Sequence, residues 1–342
     1  MSDIPKMLMS SVAITAIVVV GYKVIKSTMK RNPRSYKQAR EKVKTERRRD
    51  VDNEYSTLHN PNWKEIGQVT NLLIYLVKSS KMSVSYNSFK FCDYGMCTEN
   101  FGTDIWDGMF AVYNKRTEKF EDSRKYPALG KLETWPSGHN EVTLRTKSSS
   151  ELILNMQQYR NSANVFVKET WNETLEAFSD SDVHVNTWLK DVIQSNEINE
   201  TDEDIILSKM NPRNPNSTEG IKNNWFRFVQ GYEAMEKDET GKFITLPRFV
   251  LITMQTTLKL SNYDFINAAP NIMIKTDEKV INAFEEKTWD WIKIGNDVIL
   301  RKLKPVPSTD KTVQHCGIYC ALWSGGYVEK DDKIYIYSSD TQ

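Results

Sequence analysis

The sequence is poor in the residues from which catalytic and metal centres are usually built. Its 342 residues include only four histidines and four cysteines, and the fourteen glycines form no phosphate-cradling loop. Four cysteines in a chain of this length do not make a disulfide scaffold. We find no internal repeat and no low-complexity segment. No reaction follows from these residues, so the sequence assigns no catalytic and no cofactor-binding residue.

Charge is also absent from one long stretch near the start. No charged residue occurs over 7–22, and the apolar run extends to Ile25 if the Lys23 ammonium reaches lipid headgroups. A helix of this length covers about 28 Å, close to the roughly 30 Å of a bilayer's hydrocarbon core. A cleaved signal peptide fits less well, because Asp3 precedes the run and no small-residue cleavage site ends it. A buried helix fits less well because such a helix normally keeps a polar stripe, and this run has only Ser10, Ser11 and Thr15. The sequence therefore predicts a transmembrane signal-anchor helix over 7–25, after a tail at 1–6.

Positive charge follows this run at once. Residues 1–50 hold 13 Lys and Arg against 4 Asp and Glu, a net charge of +9, whereas the whole chain carries +1. The positive-inside rule then places the amino terminus outside or in a lumen and the body in the cytosol or its topological equivalent. Three glycosylation sequons, at Asn172, Asn199 and Asn216, favour the opposite orientation, but an Asn-rich chain contains about that many by chance.

Residues 26–52 form a basic juxtamembrane stalk in this interpretation, followed by an acidic body over 53–342. Basic residues beside a bilayer are attracted to anionic lipid headgroups, so we expect the first of them to contact lipid. These lipid-contacting candidates are Lys23, Lys26, Lys30, Arg31 and Arg34. The residues after 50 carry about −8, because the chain total is +1 and the first fifty residues contribute +9. Nucleic acid is therefore an improbable partner of the body.

Periodicity divides the body into three parts. Residues 80–147 and 292–340 read as strands and hairpins, with turns at 136–138, 295–297 and 331–332, and 148–291 reads as helical. A further helix is predicted near 66–76, where apolar residues recur at helical spacing. The predicted fold class is α+β: a single transmembrane helix, then a mixed body with β-rich ends and a helical middle.

The helical middle is predicted from apolar residues three and four positions apart. One helical face begins at Leu152 and continues past Phe166 to Phe178. Further helices are expected at 183–194, 221–236 and 247–261, and another is expected to begin at Thr276. The simplest architecture then joins both β-rich segments in one sheet and packs the helices on a face of it.

The cysteines fall into two pairs, one in each β-rich segment. If both segments share a sheet, Cys92, Cys97, Cys316 and Cys320 could surround a zinc ion. The spacings differ from the two-residue spacing of common zinc knuckles, so free thiols, disulfides and a zinc site all stay open. The pairs are the weak metal candidates, and zinc is the cofactor that they suggest; the acidic run at 200–204 is better explained as a helix start than as a cation site.

The second pair also lies in a segment of catalytic interest, Gln314–Cys320. This segment resembles the nucleophile segment of the cysteine-protease clan that includes the adenovirus protease and the SUMO-removing proteases. Those enzymes need a histidine well upstream of the cysteine, and no histidine stands between His184 and His315. A thiol without an imidazole base is a weak nucleophile. We therefore expect no protease site here.

An anchored acidic body with no catalytic set is most simply a structural or interaction subunit of a membrane-associated assembly. Such an assembly would be an organelle complex or the membrane of a virion, and the partners would be other protein subunits and a bilayer with anionic headgroups. Two alternatives stay open: a membrane-bound enzyme with Cys316 or Cys92 in its site, and a tether that binds anionic lipid through the basic stalk.

Overall fold

A computed structural model gives the fold of most of the chain after residue 61. It describes residues 62–80, 84–92, 95–100, 103–123, 125–147, 149–161, 164–168, 174–179, 182–194, 205–210, 249–277 and 281–337. The predicted anchor over 7–25, the stalk over 26–52 and the helix over 221–236 lie outside these residues.

Strands dominate the described residues. The strands are β1 (Lys64–Ile74), β2 (Val84–Ser85), β3 (Ser88–Cys92), β4 (Gly95–Asn100), β5 (Thr103–Trp106), β6 (Phe110–Asn114), β7 (Lys119–Glu121), β8 (Glu133–Gly138), β9 (Glu141–Arg145), β10 (Leu152–Asn155), β11 (Asn164–Lys168), β12 (Thr174–Ser179), β13 (Ile205–Met210), β14 (Phe249–Thr253), β15 (Ile272–Thr276), β16 (Trp291–Ile294), β17 (Val298–Pro305), β18 (Ile318–Ser324), β19 (Gly326–Glu329) and β20 (Lys333–Tyr337). The α-helices are α1 (Val183–Gln194), α2 (Met254–Thr257) and α3 (Asn262–Ala268), and 3-10 turns occur at Pro127–Lys131, Gln158–Asn161 and Glu285–Thr288.

Seven strands close into a barrel. Their order is β15, β14, β18, β17, β16, β20 and β1, and β1 also pairs with β15, so the ring has no free edge. Apolar side chains from all seven strands fill the interior, among them Ile74, Phe249 and Ile292. Because the six other strands lie beyond residue 248, the ring closes only when β1 pairs with strands 200 to 272 residues away.

β1 is bent where it joins its two neighbours. Its pairing shifts register between Val69 and Asn71 against β15, and between Glu65 and Gly67 against β20. At Gly67 a Cβ atom would stand 2.0 Å from the Lys275 carbonyl oxygen, so only glycine permits this approach. Irregularities of this kind increase strand curvature, which a small closed barrel requires.

One pair of barrel strands is parallel and needs a crossover. β14 and β15 run in the same direction, and the 254–271 connection carries α2 and α3 across the outside of the barrel. Beneath these helices Ile252 and Met273 pack against Leu260 and Phe265. We call the two ends of the barrel the Thr253 end, where β14 and β15 finish, and the Ile74 end, where β1 finishes.

Three smaller sheets complete the described fold. β19, β3, β4 and β5 form one sheet, β10, β9 and β8 a second, and β11, β12, β13, β6 and β7 a third. Phe91 of β3 stacks on Phe249 of the barrel with the ring centroids 5.0 Å apart. Helix α1 lies beside β13, where the Asn186 side chain accepts a hydrogen bond from the Leu207 amide.

The predicted α+β class with a helical middle is wrong, because the described fold is mainly β and closes into a seven-stranded barrel. The stretch 152–179 that was expected to be helical holds β10, β11 and β12. The helix expected near 66–76 is β1, and the one expected over 247–261 is mostly β14 and the short α2. No helix starts at Thr276, which ends β15. Helical spacing misled at β1 because a barrel strand with register shifts buries residues at irregular intervals.

Other local predictions are confirmed. Helix α1 occupies the predicted range 183–194, and β16 and β17 form the predicted hairpin around Gly295. β8 and β9 form the predicted hairpin, although their turn lies at His139 and Asn140, after the predicted Pro136–Gly138. The chain does turn at 331–332, but β19 pairs with β3 and β20 with β1 and β16.

Candidate functional site

The chain leaves β1 at the Ile74 end through a tight turn over residues 77–80. The Ser80 amide donates to the Val77 carbonyl at 3.0 Å, and Ser79 has a φ of 65°. A positive φ at the third residue is the pattern of a type II turn, where glycine or asparagine is the usual occupant. A serine held there is strained by about 1–2 kcal/mol.

This turn is fastened to the start of β6. The Lys78 amide donates to the Phe110 carbonyl, and the Phe110 amide donates to the Leu76 carbonyl, at 2.8 and 2.7 Å. The Gly108 amide donates to the Tyr75 carbonyl at 2.8 Å. The strain at Ser79 is therefore held in place by hydrogen bonds on either side of it, as at many ligand-binding turns.

Tyr75 and Asp107 support the same region. The Asp107 carboxylate accepts a hydrogen bond from the Tyr75 amide at 2.8 Å, and the Tyr75 hydroxyl donates to the Pro270 carbonyl at 3.1 Å. Burial, and then the charge of Asp107, raise the pKa of Tyr75, which therefore stays a neutral hydrogen-bond donor. The turn thus stands on a rigid base between the barrel and β6.

One polar atom of the turn is unsatisfied. Ser80 is completely buried, and its Oγ finds no hydrogen-bond partner among the described residues. The buried hydroxyls of Thr134 and Ser208 also lack a partner within the described part of the chain, but both belong to regular strands, whereas Ser80 belongs to the strained turn. A buried hydroxyl in this state costs about 1–3 kcal/mol unless a water or a bound group supplies its partner.

The Thr253 end presents the contrasting case, a polar network in which most groups are paired. Asp264 is buried in α3 and its Oδ1 accepts from Ser308 Oγ and from the amide and hydroxyl of Thr309, at 3.2, 3.0 and 2.7 Å. Its Oδ2 accepts from Ser261 Oγ at 2.9 Å. Burial alone would raise the pKa of Asp264, but the hydrogen bonds from Thr309, Ser261 and Ser308 outweigh it and lower that pKa.

His315 and Phe284 join the loop before β18 to the turn before β16. His315 is 1% exposed; its Nδ1 accepts from the Gly317 amide at 3.2 Å, which leaves Nε2 to donate to the Phe284 carbonyl at 3.1 Å. Burial lowers the pKa of His315, so the neutral ring is the stable form. Phe284 has a φ of 69°, and its amide donates to Thr256 Oγ1 at 2.7 Å. Both ring nitrogens are engaged, so the histidine acts as a structural link.

Glu286 is the one incompletely paired group that we find in this network. Its Oε2 accepts from Thr256 Oγ1 at 3.1 Å, whereas Oε1 is buried without a partner among the described residues. Burial raises the pKa of Glu286 despite the hydrogen bonds that favour its charged form. A carboxyl in these surroundings takes up a proton more readily than an exposed one.

The two cysteines near this end do not face each other. Cys316 packs outside the barrel with Val250 and Ala268, and Cys320 belongs to the interior core. Burial raises the pKa of Cys316 to about 11 and raises that of Cys320 further. Both are therefore protonated thiols at neutral pH, and neither is suited to act as a nucleophile or a metal ligand.

Cys92 and Cys97 lie elsewhere, on β3 and β4, with their sulfur atoms 3.6 Å apart. Among the described residues no group of three or more His, Cys, Asp or Glu side chains is placed to hold a metal ion. The structure thus does not bring the four cysteines into a zinc site. The lipid-contact candidates, Lys23 to Arg34, lie outside the described residues, and lipid contact stays a prediction.

Part of the chain matches a known protein family. Residues 66–196 match the MOSC N-terminal beta barrel domain. The chain is similar to MOSC proteins here. The matched segment covers less than half of the chain and includes the 77–80 turn and only β1 of the seven barrel strands. No curated protein matches the chain.

This similarity corrects the functional interpretation of the sequence. The prediction of a structural or interaction subunit of a membrane assembly or virion is wrong, because the matched segment is similar to a domain of MOSC proteins. The single-pass localisation is overturned by the same match. In the part of the chain that the structure describes, no helix is long and apolar enough to cross a bilayer.

Sequence reasoning missed the 77–80 turn. The letters Val-Lys-Ser-Ser contain no glycine, asparagine or proline, so nothing marks a turn with positive φ. The apolar run Leu72–Val77 also concealed it, because it continued the helical spacing seen over 66–76. A lysine followed by two serines directly after an apolar run was the one available signal.

Proposed function

We propose that this chain is a cofactor-binding protein of the MOSC type, and that the 77–80 turn binds the phosphate of a molybdopterin-like cofactor. MOSC domains are associated with binding of the molybdenum cofactor, which makes a cofactor plausible for this chain. The observation that carries the proposal is that the matched segment contains a strained turn with an unsatisfied buried hydroxyl.

The residues of the turn suit the anionic part of such a cofactor. Lys78 supplies a cation, and Ser79 and Ser80 supply hydroxyl donors, which is a donor set that phosphate oxygens accept well. Lys78 and Ser79 are partly exposed, so an anion can reach them, whereas Ser80, the next residue, is buried. An anion whose oxygen reaches Ser80 would also supply the partner that its hydroxyl lacks.

The described cysteines do not suit the metal of that cofactor. A soft transition metal is held by thiolates, but Cys316 and Cys320 are buried and protonated. Cys92 and Cys97 belong to a different sheet, and no third ligand lies beside them among the described residues. When bound, the cofactor would supply redox chemistry at its metal, and the residues of the 77–80 turn would hold its phosphate.

The test is to measure cofactor carried by the full chain when it is produced in cells that make molybdopterin. Bound pterin is released, oxidised to its fluorescent form and quantified per mole of protein. We expect pterin on the wild type, at least about tenfold less on Lys78→Ala, and an unchanged amount on Lys259→Ala, an exposed lysine at the Thr253 end. Equal pterin on the two lysine variants, or none on the wild type, would refute the proposal.

A second measurement concerns the metal. If no described cysteine holds it, Cys92→Ser, Cys97→Ser and Cys316→Ala should each carry as much pterin and molybdenum as the wild type. Loss of molybdenum with retention of pterin in one of these variants would identify that cysteine as the ligand and contradict our assignment.

A further inference from the structure

The structure assigns a second reactive site to the hairpin of β3 and β4: we propose that Cys92 and Cys97 form a dithiol pair that a small-molecule disulfide oxidises to an intrachain disulfide. This inference does not depend on the proposed cofactor. It rests on the arrangement of the two thiols, on their partial exposure and on the contrast with the two buried cysteines.

The hairpin register places the two side chains on one face. Phe91 pairs with Met96 and both are buried, so their neighbours Lys90 and Cys92 point to the opposite face of the sheet. Cys97 lies directly across from Lys90 and shares that face. Cys92 and Cys97 are thus diagonal neighbours on the outer side of the hairpin.

The residue across from Cys92 leaves space for the contact. Cys92 pairs with Gly95, which has no side chain, so nothing on that position separates Cys92 from Cys97. The two sulfur atoms are 3.6 Å apart, whereas a disulfide bond is about 2.05 Å long. Closing the remaining distance of about 1.5 Å requires side-chain rotation and a small movement of the backbone at the two cysteines.

Solvent exposure distinguishes this pair from the other cysteines. Cys92 and Cys97 are partly exposed, whereas Cys316 and Cys320 are buried. In the reduced form the Cys92 thiol donates to the Gly95 carbonyl at 3.0 Å, which holds its sulfur near Cys97. Thiol exchange requires that the attacking sulfur reach its partner, so oxidation should be confined to the β3–β4 pair.

The reaction uses glutathione disulfide as the oxidant and balances as two exchanges. A thiolate of the pair attacks one glutathione sulfur, forms a mixed disulfide and releases one glutathione. The second protein thiol then attacks the protein sulfur of the mixed disulfide and releases the other glutathione. The two electrons and two protons of the protein dithiol end on two glutathione thiols, and a bond joins Cys92 to Cys97.

The experiment treats the full chain with a series of glutathione redox buffers, quenches with acid, and alkylates the remaining thiols before intact-mass and peptide analysis. We expect the wild type and Cys316→Ala to lose two thiols each and to yield a peptide with Cys92 joined to Cys97. Cys92→Ser and Cys97→Ser should instead carry one glutathione adduct. Half-oxidation of the wild type should need at least about tenfold less glutathione disulfide than half-modification of either single variant.

Three outcomes would overturn the proposal. One is a wild-type protein whose four thiols can all still be alkylated at a glutathione disulfide concentration that already modifies the single variants. Another is a disulfide between two chains, and the third is oxidation that persists in Cys92→Ser through Cys316. Circular dichroism of each variant shows that it is folded, and Cys92→Ala gives an independent replacement if the serine variant is not.

Discussion

The two ends of the barrel differ in how their strained residues and buried polar groups are hydrogen-bonded. At the Thr253 end the strained residue, Phe284, has its amide and carbonyl bonded to Thr256 and His315, and a buried carboxylate, Asp264, receives four hydrogen bonds. At the Ile74 end the strained Ser79 lies between the backbone hydrogen bonds of Lys78 and Ser80, but the Ser80 hydroxyl has no partner among the described residues. Paired networks stabilise a fold, whereas unpaired strained groups are typical of ligand sites.

Replacing Asp264 should have the largest effect on stability. Asp264→Ala leaves the hydroxyl and amide donors of Ser308 and Thr309 without their acceptor and removes the tie between α3 and the loop before β18. Charge-assisted hydrogen bonds contribute about 1.5–3 kcal/mol each, so we expect a loss of about 3 kcal/mol in the free energy of unfolding by urea. Asp310→Ala, in the same loop but exposed, should cost less than about 1 kcal/mol. Equal losses would show that the network does not stabilise this end.

His315 should make this end sensitive to acid. Its pKa is lowered in the folded state, so the unfolded chain takes up the proton first as the pH falls. Its contribution is complete above the unfolded pKa of about 6.5 and is lost as the pH falls below that value, at no more than about 1.4 kcal/mol per pH unit. The wild type should therefore lose more stability than His315→Gln between neutral pH and about pH 5. Parallel stability curves for the two proteins would contradict this role.

Replacing Ser79 with glycine should stabilise the protein, in contrast to the replacement of Asp264. Ser79→Gly relieves the positive φ, so we expect the free energy of unfolding to rise by about 1 kcal/mol. The matched control is Asn140→Gly, at a hairpin turn with a φ of 58°, where asparagine already tolerates the conformation and the gain should be smaller. A destabilised Ser79→Gly protein would mean that the serine side chain makes a stabilising contact in the unliganded protein.

Ser80 should contribute the least to stability. Its hydroxyl has no partner among the described residues, so Ser80→Ala removes no hydrogen bond, and the free energy of unfolding should stay the same or rise. The same variant should carry less pterin than the wild type if the turn holds phosphate. A clear loss of stability would point to a bound water or another partner of this hydroxyl in the unliganded protein.

Features fixed by neighbouring residues could be predicted from the sequence. The hairpin at Gly295 and helix α1 follow from turn residues and short-range periodicity, and both are confirmed. The segment 66–76 was misassigned because its apolar residues fit two structures equally well. Ile66, Val69, Leu73 and Leu76 could lie on one face of a helix, or they could belong to a bent strand that buries side chains on both of its faces. Whether such a segment forms a strand or a helix depends on whether partner strands are available, and the neighbouring residues in the sequence do not determine this.

The sequence by itself determined the charge division between the first fifty residues and the rest, the positions of several turns, and the grouping of the cysteines into two close pairs. Only the tertiary structure decided that β1 closes a ring with strands after residue 248, that Cys316 and Cys320 lie on opposite sides of the barrel wall, and that Ser79 is strained. The physical reason is that strand pairing, burial and backbone strain depend on which distant segments meet, whereas turn chemistry depends on adjacent residues.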